Sequence, residues 1–188
     1  ESGWETLLKL PLDWQERVEL ICLPDSRQYP IACETMLKLI KFKASNICET
    51  HGKIDCAVCK KVPDAGWVMV DLGNVPEDTI VVIDSLTQLA NSIMAFVCKN
   101  QPDDYKPDWE DYRTCGTLMD MFLSAIQQAP FKVVVISHEV ETEQEDGTKR
   151  IVPVAGTANF SRNTAKYFGH VVYSQVKNKR HAFTSSTT

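Results

Sequence analysis

Thr79-Ile-Val-Val-Ile-Asp84-Ser85-Leu-Thr-Gln-Leu constrains the fold of this chain more than any other stretch, because four apolar residues run directly into an aspartate. A continuous Ile/Val run of this kind reads as a strand buried on both faces of a parallel sheet. An aspartate where such a strand ends lies at the carboxyl edge, where open α/β sheets hold their ligands. Asp and Ser are also good helix caps, so a buried strand followed by a capped helix accounts for the same residues.

The rest of the chain repeats the pattern. Val18 to Leu23 reads as a strand closed by Pro24-Asp25, and Pro30 to Phe42 carries apolar residues at helical spacing. Trp67 to Leu72 reads as a short strand, Ser85 to Cys98 as a helix and Trp109 to Ala129 as a long helix with its stripe at Leu118, Met121, Phe122, Ala125 and Ile126. Phe131 to Ile136 is a second strongly apolar strand with Ser137-His138-Glu139 at its carboxyl end. Glu141 to Arg150 reads as a solvated hairpin or loop, Pro153 to Thr164 as irregular or weakly helical, and His170 to Val176 and His181 to Thr184 as closing strands around Asn178-Lys-Arg180. Strands alternating with helices predict a mostly parallel α/β sheet flanked by helices.

At 188 residues the chain suits one domain with a small insert. A net charge of −5 advertises neither nucleic acid nor an anionic membrane, so any such contact must be a local patch. No apolar run approaches the roughly 20 residues that span a bilayer, and the N-terminus lacks a signal-peptide core. Seven cysteines, odd in number and scattered, suit a reducing compartment, which makes the cytoplasm the expected location.

Four potential metal ligands fall within twelve residues, as Cys48-x2-His51-x4-Cys56-x2-Cys59. Two pairs with two-residue gaps present four ligands to one tetrahedral ion, and Cys₃His is a structural zinc set. A segment this short buries too little apolar surface to fold alone, so bound Zn²⁺ would supply the free energy. Residues 46–62 therefore read as an inserted knuckle, with a redox Cys56/Cys59 pair or coincidental thiols as the plainer account. A zinc hydrolase fits poorly, because four ligands saturate the ion.

With these residues in view, the chain resembles the core of RecA-type P-loop ATPases, and most of all the RecA-like nucleotide-binding proteins of phages that assist recombination and single-strand annealing. Ile80 to Leu89 (IVVIDSLTQL) resembles the Walker B strand and the start of its helix, and Val133 to Glu139 (VVVISHE) the next strand, whose polar end senses the γ-phosphate and leads into a DNA-facing loop. Glu1-Ser-Gly-Trp resembles the segment bearing the catalytic glutamate, and Val176-Lys177-Asn178-Lys179 the lysine-bearing strand that reaches a neighbour's nucleotide.

The resemblance covers nearly all of residues 1–188 and implies one ATPase core. It implies that Asp84 holds Mg²⁺ near ATP with Ser85 in support, that Glu1 orients the attacking water, and that His138 reports nucleotide state. Lys177 and Lys179 would stabilise phosphate charge across a homo-oligomer interface, although an ordinary basic surface hairpin explains them equally. Single-stranded DNA is the implied partner, with Lys149, Arg150, Arg162, Lys166 and the Lys177 to Arg180 cluster as candidate contacts; a phage-encoded protein would act in the host cytoplasm.

One departure is large. No GxxxxGK[ST] phosphate loop occurs in these residues. Either the loop is supplied by sequence preceding Glu1, or the chain is a non-hydrolysing, zinc-containing binding module for DNA or protein on a degenerate scaffold.

Overall fold

The computed structural model of the chain describes residues 7–143, 147–178 and 180–186. Its centre is a parallel strand pair, β3 (Ile80–Asp84) and β4 (Lys132–Ile136), registered Ile80 to Lys132 through Asp84 to Ile136. Two helices make the connection between them, Leu86–Val97 and Trp109–Gln127. Parallel pairing requires a crossover of a dozen residues or more, and this is the stretch of chain that provides it.

Both helices start where their capping chemistry dictates. The Ser85 hydroxyl accepts the Gln88 amide at 3.2 Å. Asp108 accepts from the Glu110 and Asp111 amides at 2.9 and 3.0 Å, and Asp111 accepts in return from the Asp108 amide at 3.0 Å, a reciprocal capping box. Leu86, Leu89, Ala90 and Ile93 from the first helix and Cys115, Met119, Phe122 and Leu123 from the second are buried together at helical spacing. Cys33 joins them from a third helix, Ile31–Leu39, and Ile83 and Val135 reach the same core from the strands. Tyr167 is buried against it, with Phe160 and Phe168 packed alongside. Ser92, fully buried, accepts the Cys33 amide at 2.9 Å and donates to Asp25 at 3.0 Å, tying the first helix to the third.

A second, smaller core holds Leu39, Ile47, Ile54 and Val70, with Ile21 and Leu23 against it. It underlies an antiparallel ladder of β1 (Ser45–Cys48) and β2 (Trp67–Val70). Two hairpins complete the described structure: β5 (Glu139–Glu143) with β6 (Lys149–Pro153), and β7 (Val171–Lys177) with β8 (Arg180–Ser186), Asn178 following β7 at φ 52°. A short helix, Ala158–Asn163, lies between the hairpins.

The structure corrects the sequence-based picture at three points. Val18 to Leu23 forms no strand: Ile21 and Leu23 point inward in alternation, but no ladder partner lies beside them among the described residues. The mostly parallel sheet is replaced, among the described residues, by one parallel pair and three antiparallel ladders. Short connections close β5–β6 and β7–β8 locally, which only antiparallel pairing allows. Finally, the Ile/Val strands are covered on one face. Ile83 and Val135 meet the core, whereas Ile80 and Val82 stay 56% exposed and Val134 and Ile136 48% and 42% exposed.

Candidate functional site

Two constellations stand out, and the first is the cysteine knuckle. Cys48 ends β1, and its carbonyl accepts the Gly52 amide at 2.8 Å while its own amide donates to the Lys53 carbonyl at 3.0 Å. This tight loop turns at Gly52, whose φ of +63° suits glycine, and a Cβ there would lie 2.9 Å from the Pro24 ring and 3.0 Å from the Cys22 carbonyl. The irregular 18–24 segment therefore packs directly on the loop that carries His51. Cys56 and Cys59 bracket a tight turn, with the Lys60 amide donating to the Cys56 carbonyl at 3.0 Å and the 3₁₀ turn Cys59–Lys61 following.

The result is convergence. His51 Nδ1 lies 3.2 Å from Cys59 Sγ, 3.7 Å from Cys56 Sγ and 4.0 Å from Cys48 Sγ. All four ligand atoms fall within 4.8 Å of one another, and the three cysteines are buried. A tetrahedral ion with metal–sulfur bonds of about 2.3 Å separates its ligands by about 3.5–3.8 Å, so the donor set fits zinc in size and in chemistry. The Cys59 and Val58 amides point at Cys56 and hold its thiol down to about 6, while burial pushes Cys59 up. These amides favour at Cys56 the thiolate form that a metal ligand must present. Ala65 and Trp67 cover the cluster, Trp67 standing opposite Cys48 in the ladder. Among the described residues this is the one His/Cys/Asp/Glu group close enough to hold an ion.

The second constellation is the carboxyl edge of β3–β4. Asp84 ends β3 exposed, opposite Ile136, and its peptide bond to Ser85 is cis. Ser85 is buried with its hydroxyl engaged in the helix cap. Ser137 and His138 follow Ile136, so Asp84 and His138 emerge from neighbouring strands at one edge. Thr87, the second residue of the helix, holds the end of β4: its hydroxyl accepts the His138 amide at 3.0 Å, donates to the Val154 carbonyl at 3.2 Å and lies 3.3 Å from the Ser137 hydroxyl. Ser137 in turn donates to the His138 and Val154 carbonyls, at 2.9 and 3.1 Å. Nothing in the sequence marks Thr87, which looks there like any polar residue of a helical first turn.

The remaining predicted positions are less defined. Glu1 and Lys179 lie outside the described residues, and Lys177 is described in its backbone alone, paired with Arg180 at the end of β7.

Comparison with known proteins adds the family. The family model described as "AAA domain" matches residues 34–188, most of the chain, including both constellations. This chain belongs to the AAA domain family. No curated protein and no solved structure matches it. Membership places it among P-loop ATPase-like, nucleotide-binding domains. The described helices include none long and apolar enough to cross a membrane.

Proposed function

We propose that this AAA-family chain is the core of a RecA-like, DNA-dependent ATPase that acts as a homo-oligomer in phage recombination or single-strand annealing. The observation that carries the reading is the placement of Asp84 and His138 at one sheet edge, with the His138 amide held by the Thr87 hydroxyl of the helix that follows Asp84. Bound Mg-ATP would supply the phosphoanhydride to be cleaved. Asp84 would hold the magnesium ion through water, and Ser85, by capping the helix, would fix where Asp84 points. His138 would transmit the state of the site into the β5–β6 hairpin, because the Val154 amide that closes the hairpin donates to the His138 carbonyl at 2.8 Å. Glu1, Lys177 and Lys179 keep the roles the resemblance gives them: water activation for the first, phosphate contact across subunits for the other two.

The knuckle would hold one structural Zn²⁺ on Cys48, His51, Cys56 and Cys59. Four protein ligands leave no open position, so its contribution is to folding.

The test is ATP hydrolysis by the complete gene product, with and without single-stranded DNA, with Asp84→Asn as control. DNA-stimulated turnover that the variant loses supports the motor reading. Absence of turnover with DNA binding intact would assign the fold to a non-hydrolysing binding module.

A further inference from the structure

Lysines are unevenly distributed along this acidic chain. From Lys38 to Trp67 stand six lysines against three carboxylates, Glu49, Asp55 and Asp64, while the other residues carry 14 basic against 22 acidic side chains. The 38–67 segment that contains the knuckle therefore carries a lysine excess within a chain of net charge −5, while the knuckle itself, 46–62, has three lysines against two carboxylates. Three basic residues of the C-terminal part are engaged locally. Lys149 pairs with Glu141 at 2.5 Å, Lys166 lies 4.0 Å from Asp120, and Arg162 donates to the Glu143 carbonyl at 3.3 Å.

An open cleft of about 500 Å³ lies beside the metal ligands, lined by Asn46, Asp55, Cys59, Lys60, Val62, Pro63 and Trp67. Lys60 is held at its mouth by Asp55, 3.0 Å away, and Lys61 follows it, exposed. Ladder register decides what else faces the same way. Cys48 stands opposite Trp67 and Asn46 opposite Met69, so these four share one side of β1–β2, while Ile47, Val68 and Val70 turn to the second core. Val62, 50% exposed, and Trp67 give the cleft an apolar wall beside the Lys60 ammonium group, and Met69, 71% exposed, lies outside the cleft on the same side of the ladder.

We propose that this face of the knuckle binds single-stranded nucleic acid, with Lys60 and Lys61 against phosphates and Trp67 and Met69 against a base. The adjacent ammonium groups of Lys60 and Lys61, within the lysine-rich 38–67 segment, suit a phosphate backbone. The flat apolar wall beside the ammonium groups selects one that offers unpaired bases, because aromatic stacking beside backbone-tracking cations is how single strands are held. The proposal rests on the nucleic-acid part of the function proposed above and is independent of hydrolysis.

The experiment is fluorescence anisotropy of a labelled oligothymidine of about 20 nucleotides titrated with the 188-residue chain across a salt series. Lys60→Glu/Lys61→Glu is expected to weaken binding at least about 10-fold and to flatten the slope of log K against log salt by roughly 1.4, the share of two phosphate contacts on a single strand. Met69→Ala and Trp67→Leu test the wall, with a loss of roughly 5- to 100-fold expected at Trp67. Bound-zinc stoichiometry reports whether each variant keeps the knuckle. If Trp67→Leu sheds its metal, the lysine pair and Met69→Ala decide the outcome. Unchanged affinity in the lysine pair, with loss in Lys149→Glu/Arg150→Glu, overturns this surface and leaves the DNA-dependent reading standing. A wild-type chain that binds no oligonucleotide overturns both nucleic-acid claims. Competition by polyglutamate as effective as by oligothymidine, insensitive to the wall variants, overturns the proposal in favour of an acidic protein partner.

Discussion

The backbone amide of His138 donates to the side-chain hydroxyl of Thr87 at 3.0 Å, although 51 residues separate them. This bond fixes the end of β4 against the helix that begins beside Asp84. Thr87→Val keeps the shape but leaves the His138 amide without this acceptor, at a cost of about 1–2 kcal/mol. In the complete gene product the same change is expected to lower DNA-stimulated ATP turnover, with Thr87→Ser restoring it. Denaturation midpoints and steady-state rates for the two variants check this; loss in Thr87→Ser with none in Thr87→Val would show that the methyl group matters and the hydroxyl does not.

Removing one metal ligand should undo the knuckle. Cys56→Ser or Cys59→Ser is expected to release Zn²⁺, lower solubility and destabilise the chain by about 3 kcal/mol, which moves the thermal midpoint by roughly 6–12 °C in a domain of this size. Metal stoichiometry by mass spectrometry and a thermal scan decide it. A wild-type chain without bound metal, as stable as its variants, would refute the site.

Gly52 offers a test that touches no ligand. Gly52→Ala places a side chain at φ +63° and within 3.0 Å of both the Pro24 ring and the Cys22 carbonyl. About 1–3 kcal/mol of destabilisation is expected, together with weaker zinc retention against a chelator, because the turn carries His51. Competition with a chromogenic chelator reads out the second effect.

Ser92, fully buried, joins its helix to the Ile31–Leu39 helix by accepting the Cys33 amide at 2.9 Å, and donates to Asp25 at 3.0 Å. Ser92→Ala leaves the Cys33 amide and the Asp25 carboxylate without that partner and should cost roughly 1–3 kcal/mol. Urea denaturation measures it, and a loss well under about 0.5 kcal/mol would mean that Asp25 finds other partners.

Alkaline pH should destabilise the fold through its buried thiols. Burial pushes Cys33 up to about 12 and Cys115 up to about 11 from an ordinary 9.0. Below pH 9 both thiols are neutral in the folded and unfolded chains, so their full contribution is present. Above that value the unfolded chain releases protons that the folded chain retains, and stability falls by up to about 1.4 kcal/mol per pH unit per thiol until the folded values are reached. Urea midpoints at pH 8 and pH 10.5 are expected to differ less in Cys33→Ala than in the wild type.

Local chemistry is plainly legible in the sequence. Ser85 as a cap, the two Ile/Val strands, the closing hairpin and the CxxH/CxxC spacing all depend on residues within a few positions of one another, where steric preference and hydrogen-bond reach leave few options. β1 is not legible in the same way, because Ser45 to Cys48 is short and sits among polar residues; its partner β2 lies beyond the knuckle.

Tertiary structure decided the rest. Whether Val18 to Leu23 becomes a strand depends on a ladder partner elsewhere in the chain, and alternation alone is satisfied by setting Ile21 and Leu23 on the second core. Whether Ile80 and Val82 are buried depends on what covers their face, which their hydrophobicity does not specify. Thr87 meets His138, and Trp67 faces Cys48, through pairings that no sequence period records. The sequence by itself thus determined which side chains could cap, ligate and pack, because those are properties of near neighbours. Only the folded chain determined which of them meet, because long-range contacts are selected by the packing of the whole and not by any one segment.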